Sequence, residues 1–170
     1  MGSAGTTTTT VGKRPEEAPK TSIEVSIPVV GKSREIPPHY TCDGANVSLP
    51  VQWSAIPKGT VELAMFLVRL KSPPRHIFVD WAVAGLSPTS HGVSAGALPA
   101  GAAVGRNSFG QNGYSVCPPK SAGEETFILR LVALPHPLPA KPGFDAEAFY
   151  DEAERSTKVV GITGGVYTRR

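Results

Sequence analysis

A chain of 170 residues, 40% hydrophobic and 18% charged, is long enough to bury a core as one domain and too apolar to be a disordered chain. Its formal charge of +3 is spread over 17 basic and 14 acidic residues, which lacks the concentrated basic face of a nucleic-acid binder. No apolar run approaches the roughly 20 residues of a membrane-spanning helix, and 18 Gly with 17 Pro point to many turns and short strands.

Residues 1–21, rich in Thr, Pro and charge with no hydrophobic period, read as a disordered tail ahead of a single domain over 22–170. The opening MGSAG has neither the charged nor the apolar region of a signal peptide. Such a tail is what a removed secretion signal or lipid anchor leaves in front of a surface-tethered domain, and equally what an expression artefact leaves. The first of these gives the expectation of an extracytoplasmic protein, with a cytoplasmic one as the alternative.

Ile23, Val25 and Ile27 alternate with polar neighbours, so Ser22 to Pro28 reads as a strand with one wet face. A proline-stiffened loop from Ile36 to Asn46 follows, with a turn signal at Asp43-Gly44. Trp53 reads as core. Val61 to Leu70 and Ile77 to Leu86 are strands separated by the Pro73-Pro74 break, and Asp80 interrupts the second. Pro88 to Ala103 is a small-residue loop.

From Val104 to Pro119 the chain is a turn-rich loop, stiffened by Pro118 and Pro119. Thr126 to Leu134 is then apolar on both side-chain parities except at Arg130, as in a strand buried on both faces. Four prolines between 135 and 142 forbid regular structure. Asp145 is placed as the N-cap of a helix ending near Arg155. Phe144 and Phe149 form its hydrophobic staple, and Ala146, Phe149, Tyr150 and Ala153 its apolar stripe. Val159 to Val166 is the last strand. About five strands against one helix give a mainly antiparallel β architecture.

Several of these stretches resemble the phosphatidylethanolamine-binding protein family, including its bacterial Raf-kinase-inhibitor-like (YbhB/YbcL-like) branch. The likeness rests on Asn107-Ser-Phe-Gly, Gly113-Tyr114, Cys117-Pro-Pro119 and a Gly-x-x-x-aromatic strand start from Gly123 to Phe127. Thr41-Cys-Asp-Gly44 with Ser48, Pro50 and Trp53, and Gly165-x-Tyr167-x-Arg169, extend it over roughly residues 23–169. The resemblance implies the family's antiparallel β-sandwich with a short C-terminal helix and a ligand pocket at one end. It also brings the loops of Cys42 and Cys117 together, which makes a disulfide the expectation; two unrelated buried thiols are the alternative.

In that family an Asp-Pro-Asp-x-Pro loop, the His of a His-Trp pair and a Gly-x-His-Arg segment surround a site for phosphate-like anions. Laid on this chain, the first motif falls on Leu70, Lys71, Ser72, Pro73 and Pro74, keeping only the last proline. The His falls on Asp80, with Trp81 kept, and the last segment on Gly123, Glu124, Glu125 and Thr126. Carboxylates in place of donors repel an anion. The implied ligand-binding set is therefore Pro74, Asp80, Trp81, Phe109, Tyr114, Pro118, Pro119 and Glu125, around a pocket with weakened phosphate binding. Lys71, Arg75 and His76 in the adjoining loop either restore positive charge or are solvated loop charges. Asp80, mid-strand, needs a partner such as Arg130, Arg75 or a loop amide.

Three functions fit this reading. The chain is a module binding a small polar, cationic or hydrogen-bonding ligand. Alternatively, it is a small-molecule isomerase, cyclase or hydrolase with Asp80 or Glu125 as acid or base. The third is a protein-interaction or inhibitor module. No nucleophile-base pair, metal cluster or nucleotide loop is legible, so no cofactor is expected, and binding is favoured over catalysis. His39 and His91 receive no role.

Overall fold

A computed structural model of the chain describes Gly5, residues 22–71 and residues 76–170. The tail read over 1–21 thus lies, apart from Gly5, outside the described residues. Pro74 and Arg75 do too, and only the backbone of Lys71 and His76 is described.

Among the described residues eight strands and one α-helix follow one another: β1 Glu24–Ser26, β2 Val51–Ser54, β3 Glu62–Lys71, β4 His76–Leu86, β5 Gly92–Val93, β6 Ala103–Val104, β7 Glu124–Leu134, α1 Ala146–Ser156 and β8 Val160–Thr168. They make a three-stranded sheet, β1-β2-β5, and a five-stranded sheet, β6-β4-β3-β7-β8, all paired antiparallel. The fold is the mainly β sandwich with a short helix that the sequence implied. The two-residue strands β5 and β6 were not legible, because two residues are too few to show an alternating pattern.

Period-two alternation sorts the central strands. On β3, Leu63, Met65 and Leu67 enter the core between the sheets, while Ala64, Phe66 and Val68 enter a second core under α1. On β7, Phe127, Leu129 and Leu131 face the first core, and Val132 and Leu134 the second. Arg130 is the polar exception on the helix side: its Nε and Nη2 reach the two Glu154 carboxylate oxygens of α1 at 3.0 and 2.9 Å.

α1 begins as its sequence dictates. The Asp145 side chain accepts the Ala148 N–H at 3.0 Å, and Phe144 packs on Phe149 at 4.7 Å between ring centroids. Ala146, Phe149, Tyr150 and Ala153 are its buried stripe. Asp145→Ala should cost about 1 kcal/mol, read as a melting temperature lower by roughly 2–4 °C, while Asp145→Asn should be close to neutral. Equal losses in both variants would show that the carboxylate charge, not the cap, is what matters there.

Strand β4 carries two one-residue bulges. Its pairing with β3 jumps from Leu63–Leu86 to Met65–Val83, where Gly85 takes φ 74°, and from Leu67–Trp81 to Val68–Val79. The second jump leaves Asp80 as the extra residue. A bulge re-aims side chains: Val79 therefore faces the helix-side core while Trp81 faces the core between the sheets.

Among the described residues no helix is long and apolar enough to cross a membrane.

Candidate functional site

Arg69 is the charged residue of an otherwise apolar run, and its odd position puts it on the inner face with Leu63, Met65 and Leu67. It is 1% exposed. A guanidinium there must find acceptors or lose several kcal/mol of hydration. The Asp80 bulge supplies them: Arg69 Nε and Nη2 donate to the two Asp80 carboxylate oxygens, both at 2.9 Å, the bidentate fork that suits a carboxylate. Arg69 Nη1 donates to Glu125 Oε2 at 3.3 Å, from the start of β7. The guanidinium carbon lies 4.4 Å from the Phe78 ring centre, 5.2 Å from Phe127 and 5.8 Å from Phe109, within cation–π range of all three.

β6 pairs only with Val83 and Ala84 of β4, and the loop before β7 takes backbone groups further along that strand. Ser108 Oγ accepts the Val79 N–H at 2.8 Å, and the Ser115 N–H donates to the Asp80 carbonyl at 3.0 Å. Asn107 shapes that loop: its Oδ1 accepts from the N–H groups of Phe109 and Gln111, and its Nδ2 donates to the Gly113 carbonyl. The turn so formed presents Phe109, 39% exposed, edge-on to Phe78 at 4.7 Å. Tyr114 packs edge-on against Trp81 at 5.3 Å and donates to the Tyr40 carbonyl at 2.7 Å; burial and the Asp80 charge push its hydroxyl well above the ordinary tyrosine range.

Beside this lies a second polar group. Cys42 and Cys117 form a disulfide, 5.2 Å between Cα atoms, and the Cys42 N–H donates to the Val116 carbonyl at 3.0 Å. Asn46 clamps the same two loops, donating to Ser115 Oγ and accepting from the Val116 N–H. Tyr167, opposite Glu125 on β8, donates its hydroxyl to Asp43, which also accepts the Arg170 N–H at 2.9 Å. The tyrosine hydroxyl and then this amide hold the Asp43 carboxyl below the usual range. Arg169 Nη1 reaches the Pro118 carbonyl at 3.4 Å, so the last residues of the described chain are tied to the disulfide loop.

The sequence-derived set is thus brought together only in part. Asp80, Glu125 and Phe109 meet around Arg69. Trp81, 1% exposed, lies in the core beneath Tyr114. Buried Pro118 and exposed Pro119 lead into a 3-10 turn at Lys120–Ala122. Pro74 lies outside the described residues. Arg130 is not the partner of Asp80; it sits on the opposite face of the sheet, paired with Glu154, because even positions of β7 point to the helix. Arg69 was missed. Its signal was an arginine on the core-facing parity of the otherwise apolar run Leu63–Leu70. Formally the trio sums one positive and two negative groups to −1. Among the described residues no three His, Cys, Asp or Glu side chains are grouped as metal ligands.

Comparison with known proteins adds four findings. The sequence profile of the phosphatidylethanolamine-binding protein family matches residues 26–166. A Mycobacterium tuberculosis protein provisionally named lipoprotein LppC is 32% identical over 148 residues, covering 84% of this chain and 73% of its own length. A UPF0098 protein of Methanothermobacter thermautotrophicus is 34% identical over 137 residues, covering 75% and 89%. Among solved structures, Escherichia coli YbcL, a member of the mammalian PEBP family, superposes with a TM-score of 0.78 at 22% identity, over 87% of this chain and 99% of its own.

Proposed function

The chain belongs to the phosphatidylethanolamine-binding protein family, and from that premise we propose that it is a small-ligand binding module whose anion corner is filled by its own Arg69–Asp80 pair. One observation carries the reading: both Asp80 oxygens and three guanidinium N–H groups are committed to each other and to Glu125, in a site buried to 1% at Arg69. An incoming phosphate would meet two carboxylates and would have to break charge-assisted hydrogen bonds worth about 1.5–3 kcal/mol each, against the roughly 4 kcal/mol of millimolar binding. What stays open to a ligand is the rim. The Glu125 carboxylate is 25% exposed and spends one 3.3 Å contact on Arg69, and Phe109 presents a partly exposed ring beside it. An acceptor next to an aromatic ring suits a small organic cation.

Asp80, engaged through both oxygens and fully buried, is poorly placed to move protons, which weighs against the acid-base enzyme.

Calorimetry tests the reading with inorganic phosphate, phosphoethanolamine and tetramethylammonium as probes. Phosphate should bind more weakly than millimolar and the quaternary ammonium more tightly than phosphate. Glu125→Gln, which removes the rim charge and leaves the buried pair intact, should weaken tetramethylammonium binding while phosphate stays weaker than millimolar. Sub-millimolar phosphate binding by the unmodified protein would overturn the proposal.

A further inference from the structure

A different observation concerns the outer edge of β8. Strands β7 and β8 pair in unbroken register from Glu124–Thr168 to Val132–Val160. Val166 turns its backbone away from β7: its N–H donates to the Arg34 carbonyl at 2.8 Å and its carbonyl accepts the Ile36 N–H at 2.9 Å. In an antiparallel pair, residues alternate between bonding the partner strand and pointing outward. Counting back by twos, Gly164 and Ile162 direct their N–H and carbonyl groups to that same outer side. The segment pairing with Val166 turns away at 31–33, so no backbone partner among the described residues meets these four groups.

The gap opens into a groove of about 500 Å3, lined by buried Ile27 and Val30 and by exposed Pro28 and Ile162, the last 56% exposed. Arg34 is the charged side chain among its lining residues. A strand edge beside such a groove accepts an added strand. We propose that the Ile162–Gly164 edge docks an extended peptide of a protein partner, rich in β-branched residues and carrying an acidic side chain opposite Arg34. The backbone edge supplies the binding energy through four hydrogen-bonding groups, Pro28 and Ile162 flank the added strand, and Arg34 sets orientation by charge complementarity.

The probe is an acetylated, amidated peptide of sequence Thr-Val-Asp-Val-Thr-Val, titrated into the full chain while backbone amide resonances are followed. Signals of Ile162 and Gly164 should move first. Ile162→Lys, an exposed substitution that blunts strand edges, should abolish the shifts without changing the melting temperature. Arg34→Glu should weaken binding by roughly two- to fivefold, the worth of one exposed charge pair, and replacing Asp by Lys in the peptide should restore it. The proposal is overturned if shifts are absent at millimolar peptide, fall outside β8 and the groove, or survive Ile162→Lys. It is equally overturned if sedimentation shows a dimer that Ile162→Lys dissociates, since the occupant is then a second copy of this chain.

Discussion

Arg69→Ala is expected to destabilise the protein by about 3–5 kcal/mol, because it takes the bidentate guanidinium from a carboxylate that folding has removed from water. Asp80 has no exposed surface, and both of its oxygens accept from Arg69. The alanine also withdraws the guanidinium from between Phe78, Phe109 and Phe127, leaving a void lined by rings. The pair itself need not be worth that much. Desolvating two charges offsets most of their attraction, so Arg69→Met combined with Asp80→Leu should stay within about 2 kcal/mol of the parent. Urea denaturation of the three proteins separates the two quantities. A loss below about 1 kcal/mol in the single variant would mean that water or another donor reaches Asp80.

The same variant should gain a pH dependence. A buried carboxylate that loses a bidentate cation holds its proton more firmly in the folded variant than in the folded parent. The variant's stability relative to the parent then falls as pH rises through the carboxylate's titration. The deficit of Arg69→Ala should therefore shrink on mild acidification, whereas a void alone would leave it unchanged.

Reduction of the Cys42–Cys117 bridge should cost about 2–5 kcal/mol, since the cross-link closes a loop spanning 75 positions. Cys42→Ser with Cys117→Ser should reproduce the loss, and reductant should then have no further effect on the double variant. The neighbouring bonds set the upper end of the range. Asn46 and the Cys42 N–H hold the same loops together, so the native arrangement need not dissolve when the bridge opens. Thiol titration of the unfolded, unreduced protein checks the bridge directly: two reactive thiols in air-oxidised material would sink the prediction. Because Ser115 bonds the Asp80 carbonyl and Tyr114 packs on Trp81, loosening this loop should also perturb ligand binding at the Glu125 rim.

Much of the fold was already legible in local pattern. The long strands β3, β4 and β7 declared themselves as apolar runs bounded by prolines and turns, and α1 by its Asp145 cap, Phe144–Phe149 staple and four-residue stripe, because these signals are set by neighbours within a few residues. Even the inward aim of Arg69 could be read from its parity with Leu63, Met65 and Leu67. Its partner could not. Alternation places Val79 and Trp81 on one face with Asp80 on the other, but the bulge sends Val79 to the helix side and Trp81 to the core between the sheets, and frees Asp80 to meet a guanidinium 11 positions away. Glu125 comes from 56 positions further along. Strand register and bulges are decided by cross-strand pairing over the whole sheet, which no local period encodes. The backbone edge at Ile162 and Gly164, without a backbone partner among the described residues, has the same origin. Which strand lies outermost, and where the chain beside it turns away, exists only once the strands have taken their places.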